Sequence, residues 1–213
     1  MADSADKRRE RLRGSRLYLV IEAGAARSVV PAALEGGVDI VQLRDKEASD
    51  GEIVAAGRAL GELCRSRGAL FVVNDRPDLA LACGADGVHV GQEDRPVAEV
   101  RREVGEELIV GLSTHSPEQF DAGLASAADY LCIGPVHATP TKPGRPAIGL
   151  EPVRYAARHA SKPFFAIGGI DSGNVHEVRE AGAERVVVVR AIRDADDPRA
   201  AAAALRGAPV GAQ

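Results

Sequence analysis

Residues 38–46 read Val38-Asp39-Ile40-Val41-Gln42-Leu43-Arg44-Asp45-Lys46. The apolar run in it is short enough for a buried strand and too short for a helix. Side chains along a strand alternate between its faces, so Ile40, Gln42 and Arg44 share one face, and Val41 and Leu43 the other. The wholly apolar face suits a layer of helices. The face carrying Gln42 and Arg44 then points into a barrel, near the end where the strand stops.

The same unit recurs on both sides of this stretch. Apolar runs at 17–21, 38–43, 69–73, 87–90, 108–112, 130–133, 163–167 and 185–189 read as eight strands. Between them lie segments of helical spacing, such as Ile53, Val54, Leu60 and Leu63, or Val97, Val100 and Val104. Gly and Asp mark the joins, as at Gly84-Ala85-Asp86 and Ala181-Gly182-Ala183. Strands separated by helices run parallel, because a hairpin turn cannot hold a crossover helix. Their starts recur about every 24 residues, near the minimum for a right-handed βαβ unit. An open doubly wound sheet usually has a glycine-rich phosphate turn after its first strand, which Ile21-Glu22-Ala23-Gly24 matches poorly. Eight near-equal units therefore read as an α/β fold, a single (β/α)8 TIM barrel over 17–206. Residues 1–16 read as a charged, mobile lead-in and 207–213 as a tail.

Composition narrows the function classes. The 213 residues are 45% hydrophobic and 27% charged, with 27 Lys and Arg against 31 Asp and Glu and a net charge of −4. That balance argues against nucleic acid as a partner. No apolar run approaches the roughly eighteen residues that would cross a membrane, and Met1 to Arg16 carry no signal-peptide core. Cys64, Cys83 and Cys132 are odd in number and widely spaced, so neither a disulfide framework nor a zinc knuckle is indicated. The expected location is cytoplasmic. The composition leaves homo-oligomerisation open.

Polar residues gather at one end of the strands. Beyond Gln42 and Arg44, the third strand runs into Asn74-Asp75-Arg76 and the fourth leads to Gln92-Glu93-Asp94. The fifth ends in Ser113-Thr114-His115, the sixth runs into His137-Ala138-Thr139-Pro140-Thr141-Lys142, and the seventh into Gly168-Gly169. Any one cluster could be an ordinary turn. Six at the end where barrels build their active sites read as a site. A helix starting near Asp171 or Ser172 would let backbone N–H groups at Gly168-Gly169 face an anion. Arg44, Lys46, Lys142 and Arg145 add cations suited to a ligand with several negative charges. Asp75 and Asp94 fit Mg²⁺ shared with substrate phosphates, or ion pairing and helix capping; the pattern leaves both readings open. His89 reads as a packed or partly exposed ring, His115 as a proton shuttle or loop-orienting group at the mouth, and His159 and His176 as surface residues. No serine sits in a nucleophile elbow.

The strings 41–46 (Val-Gln-Leu-Arg-Asp-Lys), 73–75 (Val-Asn-Asp), 86–94 (Asp-Gly-Val-His-Val-Gly-Gln-Glu-Asp), 111–116, Gly134-Pro135 with 139–142, and 167–170 together resemble the thiamin-phosphate synthase family. They occur in the family's order over about residues 17–206. The resemblance implies a barrel that joins a hydroxymethylpyrimidine diphosphate to a thiazole phosphate, giving thiamin phosphate and diphosphate. It implies Gln42 on the pyrimidine and Arg44, Lys46, Asn74, Ser113 and Lys142 on the diphosphate side, with Leu43 and Asp45 in the same group. It implies Mg²⁺ on Asp75 and Asp94. Thr139, Pro140, Thr141, Gly169, Val189 and Arg190 fall to the thiazole phosphate. Arg44, Lys46, Ser113 and Lys142 become the catalytic candidates. The chain departs at Arg190, where many members have a small residue such as Ser. In the family reading the carbon–oxygen bond breaks largely before the thiazole nitrogen attacks, so no covalent nucleophile is needed. Two alternatives are a thiazole tautomerase of the same fold, which would not require the Asp75/Asp94 pair, and a non-catalytic thiamin-precursor binding protein.

Overall fold

In the computed structural model, which describes residues 4–139 and 146–207, eight parallel strands close into a barrel. They are β1 (Leu17–Ile21), β2 (Ile40–Leu43), β3 (Leu70–Asn74), β4 (Gly87–Val90), β5 (Ile109–Thr114), β6 (Tyr130–Ile133), β7 (Phe164–Ile167) and β8 (Val186–Val188), hydrogen-bonded in chain order, with β8 returning to β1. Helix α1 (Ala5–Gly14) precedes β1. Helices α2 (Ala23–Glu35), α3 (Asp50–Ser66), α4 (Pro77–Cys83), α5 (Val97–Val104), α6 (Pro117–Ala125), α7 (Glu151–His159) and α8 (Val175–Glu180) follow β1 to β7 in turn. After β8 come α9 (Arg190–Arg193) and α10 (Pro198–Arg206).

Local chemistry sets the helix starts. Pro77, Pro117 and Pro198 occupy first helical positions, where a missing N–H costs nothing. Ser49 and Glu52 form a reciprocal capping box on α3. The helix after β7 starts at Val175, later than the expected Asp171 or Ser172. Asn174 Oδ1 accepts from Asp171 N at 3.0 Å and Asp171 Oδ1 from Gly173 N at 2.8 Å, so side chains hold these residues in a turn instead.

Alternation along the strands divides the core in two. Val41, Leu43, Phe71, Val88, Val90 and Leu131 face outward and pack against the helices. Tyr18, Val20, Ile40, Leu70, Val72, Ile109, Tyr130, Cys132, Phe165 and Val187 fill the interior.

The expected mobile lead-in differs in the structure, where residues 5–14 form helix α1 across the N-terminal end of the barrel. Leu12 joins the interior cluster, and the buried Arg8 donates to Asp86 at 3.0 Å. A stretch that reads as charged and solvated in sequence is ordered because its charges have partners on the barrel rim.

Those partners belong to a repeated device. Asp39, Asp86 and Asp129 each stand one residue before an even-numbered strand. Each donates its backbone N–H to a residue of the preceding strand and accepts that residue's N–H on its carboxylate. Leu17 is bonded in this way by Asp39, Phe71 by Asp86 and Val110 by Asp129, with carboxylate distances of 3.0, 3.0 and 2.8 Å. An arginine completes each carboxylate: Arg206 on Asp39, Arg8 on Asp86, and Arg9 and Arg101 on Asp129.

Candidate active site

Two adjoining cavities open at the C-terminal ends of the strands, the first of about 520 Å³ and the second of about 440 Å³. Ser113, His115, Ile167, Val187 and Val189 line both. Gln42, Arg44, Asp45, Lys46, Asn74, Asp75, Asp94 and Ser113 all line the first. Thr139, Gly169, Val189 and Arg190 line the second, with Gly134, Pro135 and Gly168. Among the described residues, Gln42, Arg44, Asp45, Lys46, Asn74, Asp75 and Asp94 line only the first cavity, Thr139, Gly169 and Arg190 only the second, and Ser113 and Val189 both. Lys142, Pro140, Thr141 and Arg145 lie outside the described residues.

Two members of the first group stand apart from its chemistry. The Leu43 side chain faces outward into the core beneath the helices. Asp45 accepts hydrogen bonds from the backbone N–H groups of Ala23, Glu47 and Ala48 at 3.1–3.2 Å. Its carboxylate therefore ties the loop that carries Arg44 and Lys46 to the loop after β1.

Asn74 ends β3, and Asp75 turns the chain with φ 61°, a left-handed conformation that Asp adopts more readily than most residues but less freely than glycine. Its N–H is held by the His89 carbonyl at 2.8 Å. Asp94 returns to the same place, accepting from Gly91 N at 2.7 Å. A Cβ on residue 91 would stand 2.9 Å from that carboxylate, so glycine there leaves Asp94 its space. Burial, together with the hydrogen-bonded and negatively charged Asp94, pushes the Asp75 carboxyl up to about 6, while Lys46 and Arg44 pull it down. Two facing carboxyls beside two cations form an oxygen-donor pair whose charge is only partly compensated.

In the second cavity Gly168 and Gly169 take φ 104° and 63°. A Cβ on Gly169 would lie 2.8 Å from the Ala138 carbonyl oxygen and from His137 Cβ, so the turn accepts only a bare backbone. Val189 leads into α9 and Arg190 begins it. His115 bridges the cavities; its Nδ1 lies 2.5 Å from the Gly134 carbonyl oxygen and its N–H donates to Gln119.

Other residues enter the site that the sequence reading did not assign to it. Tyr18, His89 and Cys132 also line the first cavity, beside Gln92 of the polar cluster after the fourth strand. His89 is buried within the barrel and bonded to Ser113 and Tyr130. The available signal was alternation: Tyr18 between Leu17 and Leu19, and His89 between Val88 and Val90, are polar residues on the inward face.

The sequence pattern of the family described as thiamine monophosphate synthase matches residues 17–192. A thiamine-phosphate synthase from Saccharopolyspora erythraea is 52% identical over 210 residues, covering 93% of this chain and 94% of its own length. One from Nostoc sp. is 48% identical over 195 residues; the match takes in 90% of this chain but only 55% of that longer relative. The solved thiamine phosphate pyrophosphorylase from Pyrococcus furiosus superposes with a TM-score of 0.81 at 37% identity, covering 93% of this chain and 95% of that one. With a family match over residues 17–192, which includes all eight strands, and a relative of nearly equal length, the chain belongs to the thiamine monophosphate synthase family.

Proposed function

We propose that the first cavity holds a hydroxymethylpyrimidine diphosphate and the second a thiazole phosphate, and that the barrel couples them to thiamin phosphate with release of diphosphate. The observation that carries this reading is the pairing of the cavities. One gathers Arg44, Lys46 and the Asp75/Asp94 pair, the other offers the Gly168-Gly169 turn and Arg190, and Ser113 stands on their common wall.

The bond that breaks joins the pyrimidine methylene carbon to the diphosphate oxygen. The bond that forms joins the same carbon to the thiazole nitrogen. As the first opens, negative charge grows on the leaving oxygens, where Arg44 and Lys46 stabilise it more than in the ground state. The electron-rich aminopyrimidine carries the positive charge left on the methylene. Gln42 orients the ring, Asn74 and Ser113 bind diphosphate oxygens, and Lys142 completes the cationic group. The second cavity holds the nucleophile in line by its phosphate, using the bare backbone at Gly169 together with Thr139, Pro140, Thr141, Val189 and Arg190. Asp75 and Asp94 suit Mg²⁺, which takes one or two carboxylates and fills its remaining positions with water and phosphate oxygens. When bound, it would neutralise charge on the diphosphate.

The test is incubation of the protein with both precursors and Mg²⁺, following thiamin phosphate and diphosphate together. Equimolar appearance of the two supports the reading. Isomerisation of the thiazole alone, without diphosphate release, would replace it with the tautomerase reading, and binding without turnover would leave only a precursor-binding protein.

A further inference from the structure

Five side chains form one continuous hydrogen-bonded chain inside the barrel. Gln42 Nε2 lies 2.5 Å from the Tyr18 hydroxyl, which lies 3.0 Å from the Tyr130 hydroxyl. The Tyr130 hydroxyl is 3.1 Å from His89 Nδ1, and His89 Nε2 is 2.9 Å from Ser113 Oγ. All five residues are buried. The chain crosses from β2 through β1, β6 and β4 to β5. Gln42 and Ser113, its two ends, line the first cavity, whereas Tyr130 is not among the residues lining either one.

The barrel makes room for this chain deliberately. Gly111 pairs in register with His89 on one side and Tyr130 on the other. A Cβ at residue 111 would strike the Tyr130 ring and hydroxyl, and His89 Nδ1. A side chain there would displace the middle of the chain.

The links are not independent, because each hydroxyl has a single hydrogen to give. The Gln42 amide nitrogen can only donate, so the Tyr18 hydroxyl accepts from it and gives its hydrogen to Tyr130. Tyr130 in turn gives its hydrogen to His89 Nδ1. His89 is then the neutral tautomer with its hydrogen on Nε2, donating to Ser113. Burial pushes both tyrosines well above their usual range, so both keep their hydrogens. Two groups are left over for the cavity: the Gln42 carbonyl oxygen, an acceptor, and the Ser113 hydroxyl hydrogen, a donor. Rotating the Gln42 amide by half a turn would reverse every link and leave the opposite pair. The cavity itself favours the first polarity, since Arg44 and Lys46 line it and an anion held there needs donors.

We propose that Tyr18 and Tyr130 are positioning residues that fix this polarity, so that one substrate meets an acceptor at its amino group and a donor at its diphosphate simultaneously. The proposal rests on the placement of the pyrimidine against Gln42 and of the diphosphate against Ser113. Neither tyrosine is required to react with substrate; each acts through the group at the end of the chain.

The first experiment reads the ring of His89 by ¹⁵N NMR in the full-length, ligand-free protein, with the resonance assigned through His89→Gln. The expected state at neutral pH is the neutral Nε2–H tautomer with Nδ1 as acceptor. An Nδ1–H tautomer or an imidazolium would overturn the proposal, and this readout involves no substrate. The second experiment uses Tyr130→Phe, which keeps the ring and removes one hydroxyl. It should lose the tautomer preference and lower kcat/KM for the pyrimidine diphosphate about tenfold, the scale of one well-placed hydrogen bond. KM for the thiazole phosphate should stay within about twofold. Tyr18→Phe, which removes the acceptor of Gln42, should give the same kinetic pattern and guards against a folding defect confined to one variant. A wild-type tautomer and wild-type kcat/KM in both variants would overturn the proposal. Failure of the substrate assignment is distinguishable, because Gln42→Ala and Ser113→Ala would then leave pyrimidine kinetics unchanged whatever the His89 tautomer.

Discussion

The carboxyl of Asp75, at φ 61° after β3, is hydrogen-bonded to that of Asp94, which reaches it from the loop after β4. Two acids held together in this way cost stability when both are ionised, and the left-handed backbone at Asp75 adds to the cost.

Asp75 titrates at about 6 in the folded chain against an ordinary value of 3.8, so the folded state binds this proton more tightly than the unfolded state does. Its contribution to stability is complete below about pH 4 and is lost as pH rises through about 6. In chelator, Asp75→Asn should therefore flatten that part of the stability profile and match or exceed the wild-type melting temperature at pH 7. The same variant should lose most of its Mg²⁺-dependent turnover. Melting curves across pH 4.5–7.5 with EDTA and with Mg²⁺ provide the check, and full activity of Asp75→Asn in excess chelator would remove the metal role.

Gly169→Ala should act on one substrate only. The added Cβ would meet the Ala138 carbonyl and His137 at 2.8 Å, displacing the turn that faces the second cavity. KM for the thiazole phosphate should rise about tenfold or more, and KM for the pyrimidine diphosphate by less than about threefold. Equal effects on the two would indicate general damage to the mouth.

Arg8→Ala should separate stability from activity. The side chains of Arg8 and Asp86 are 6% and 9% exposed, and removing one partner of such a buried pair costs about 3–5 kcal/mol. Because the pair lies at the end of the barrel opposite the cavities, kcat of the folded protein should be unchanged. Urea unfolding followed by fluorescence, with assays well below the midpoint, tests both halves of this expectation.

Lys142→Ala should lower kcat by about 10²-fold, the scale of losing one donor to developing negative charge, with a much smaller change in the pyrimidine KM. Single-turnover bond cleavage at the wild-type rate would remove Lys142 from the leaving-group role.

The barrel was legible in the sequence because its signal is local. The runs at 17–21, 87–90 and 130–133 coincide with β1, β4 and β6, and the alternation in 40–44 correctly set Gln42 and Arg44 inward and Leu43 outward. The cavity residues next to strand ends were legible for the same reason. What escaped the reading depends on closure. Tyr18 and Tyr130 are 112 residues apart and meet only when β1 and β6 face each other across the interior. Helix α1 escaped likewise, since Arg8 looks solvated until Asp86, 78 residues away, is placed beside it. Asp45 entered the diphosphate group through the family resemblance, and its hold on the backbone of Ala23, 22 residues away, appears only once β1 and β2 lie side by side.

The rim aspartates imply a hidden grain in the barrel. Each reaches backward to the strand before its own, so Asp39 stitches β2 to β1, Asp86 stitches β4 to β3, and Asp129 stitches β6 to β5. Among the described residues the seams between β2 and β3 and between β4 and β5 have no such carboxylate stitch, and the position before β8 is held by Arg185. A wall that looks eightfold thus contains three two-strand modules, each with its own clasp at the N-terminal end, and a fourth pair, β7 and β8, without one. A cut in the connection between α5 and β5 would leave every aspartate in the same piece as the backbone amide it holds. That cut also parts β1–β4 from β5–β8, so each four-strand half keeps its own clasps intact.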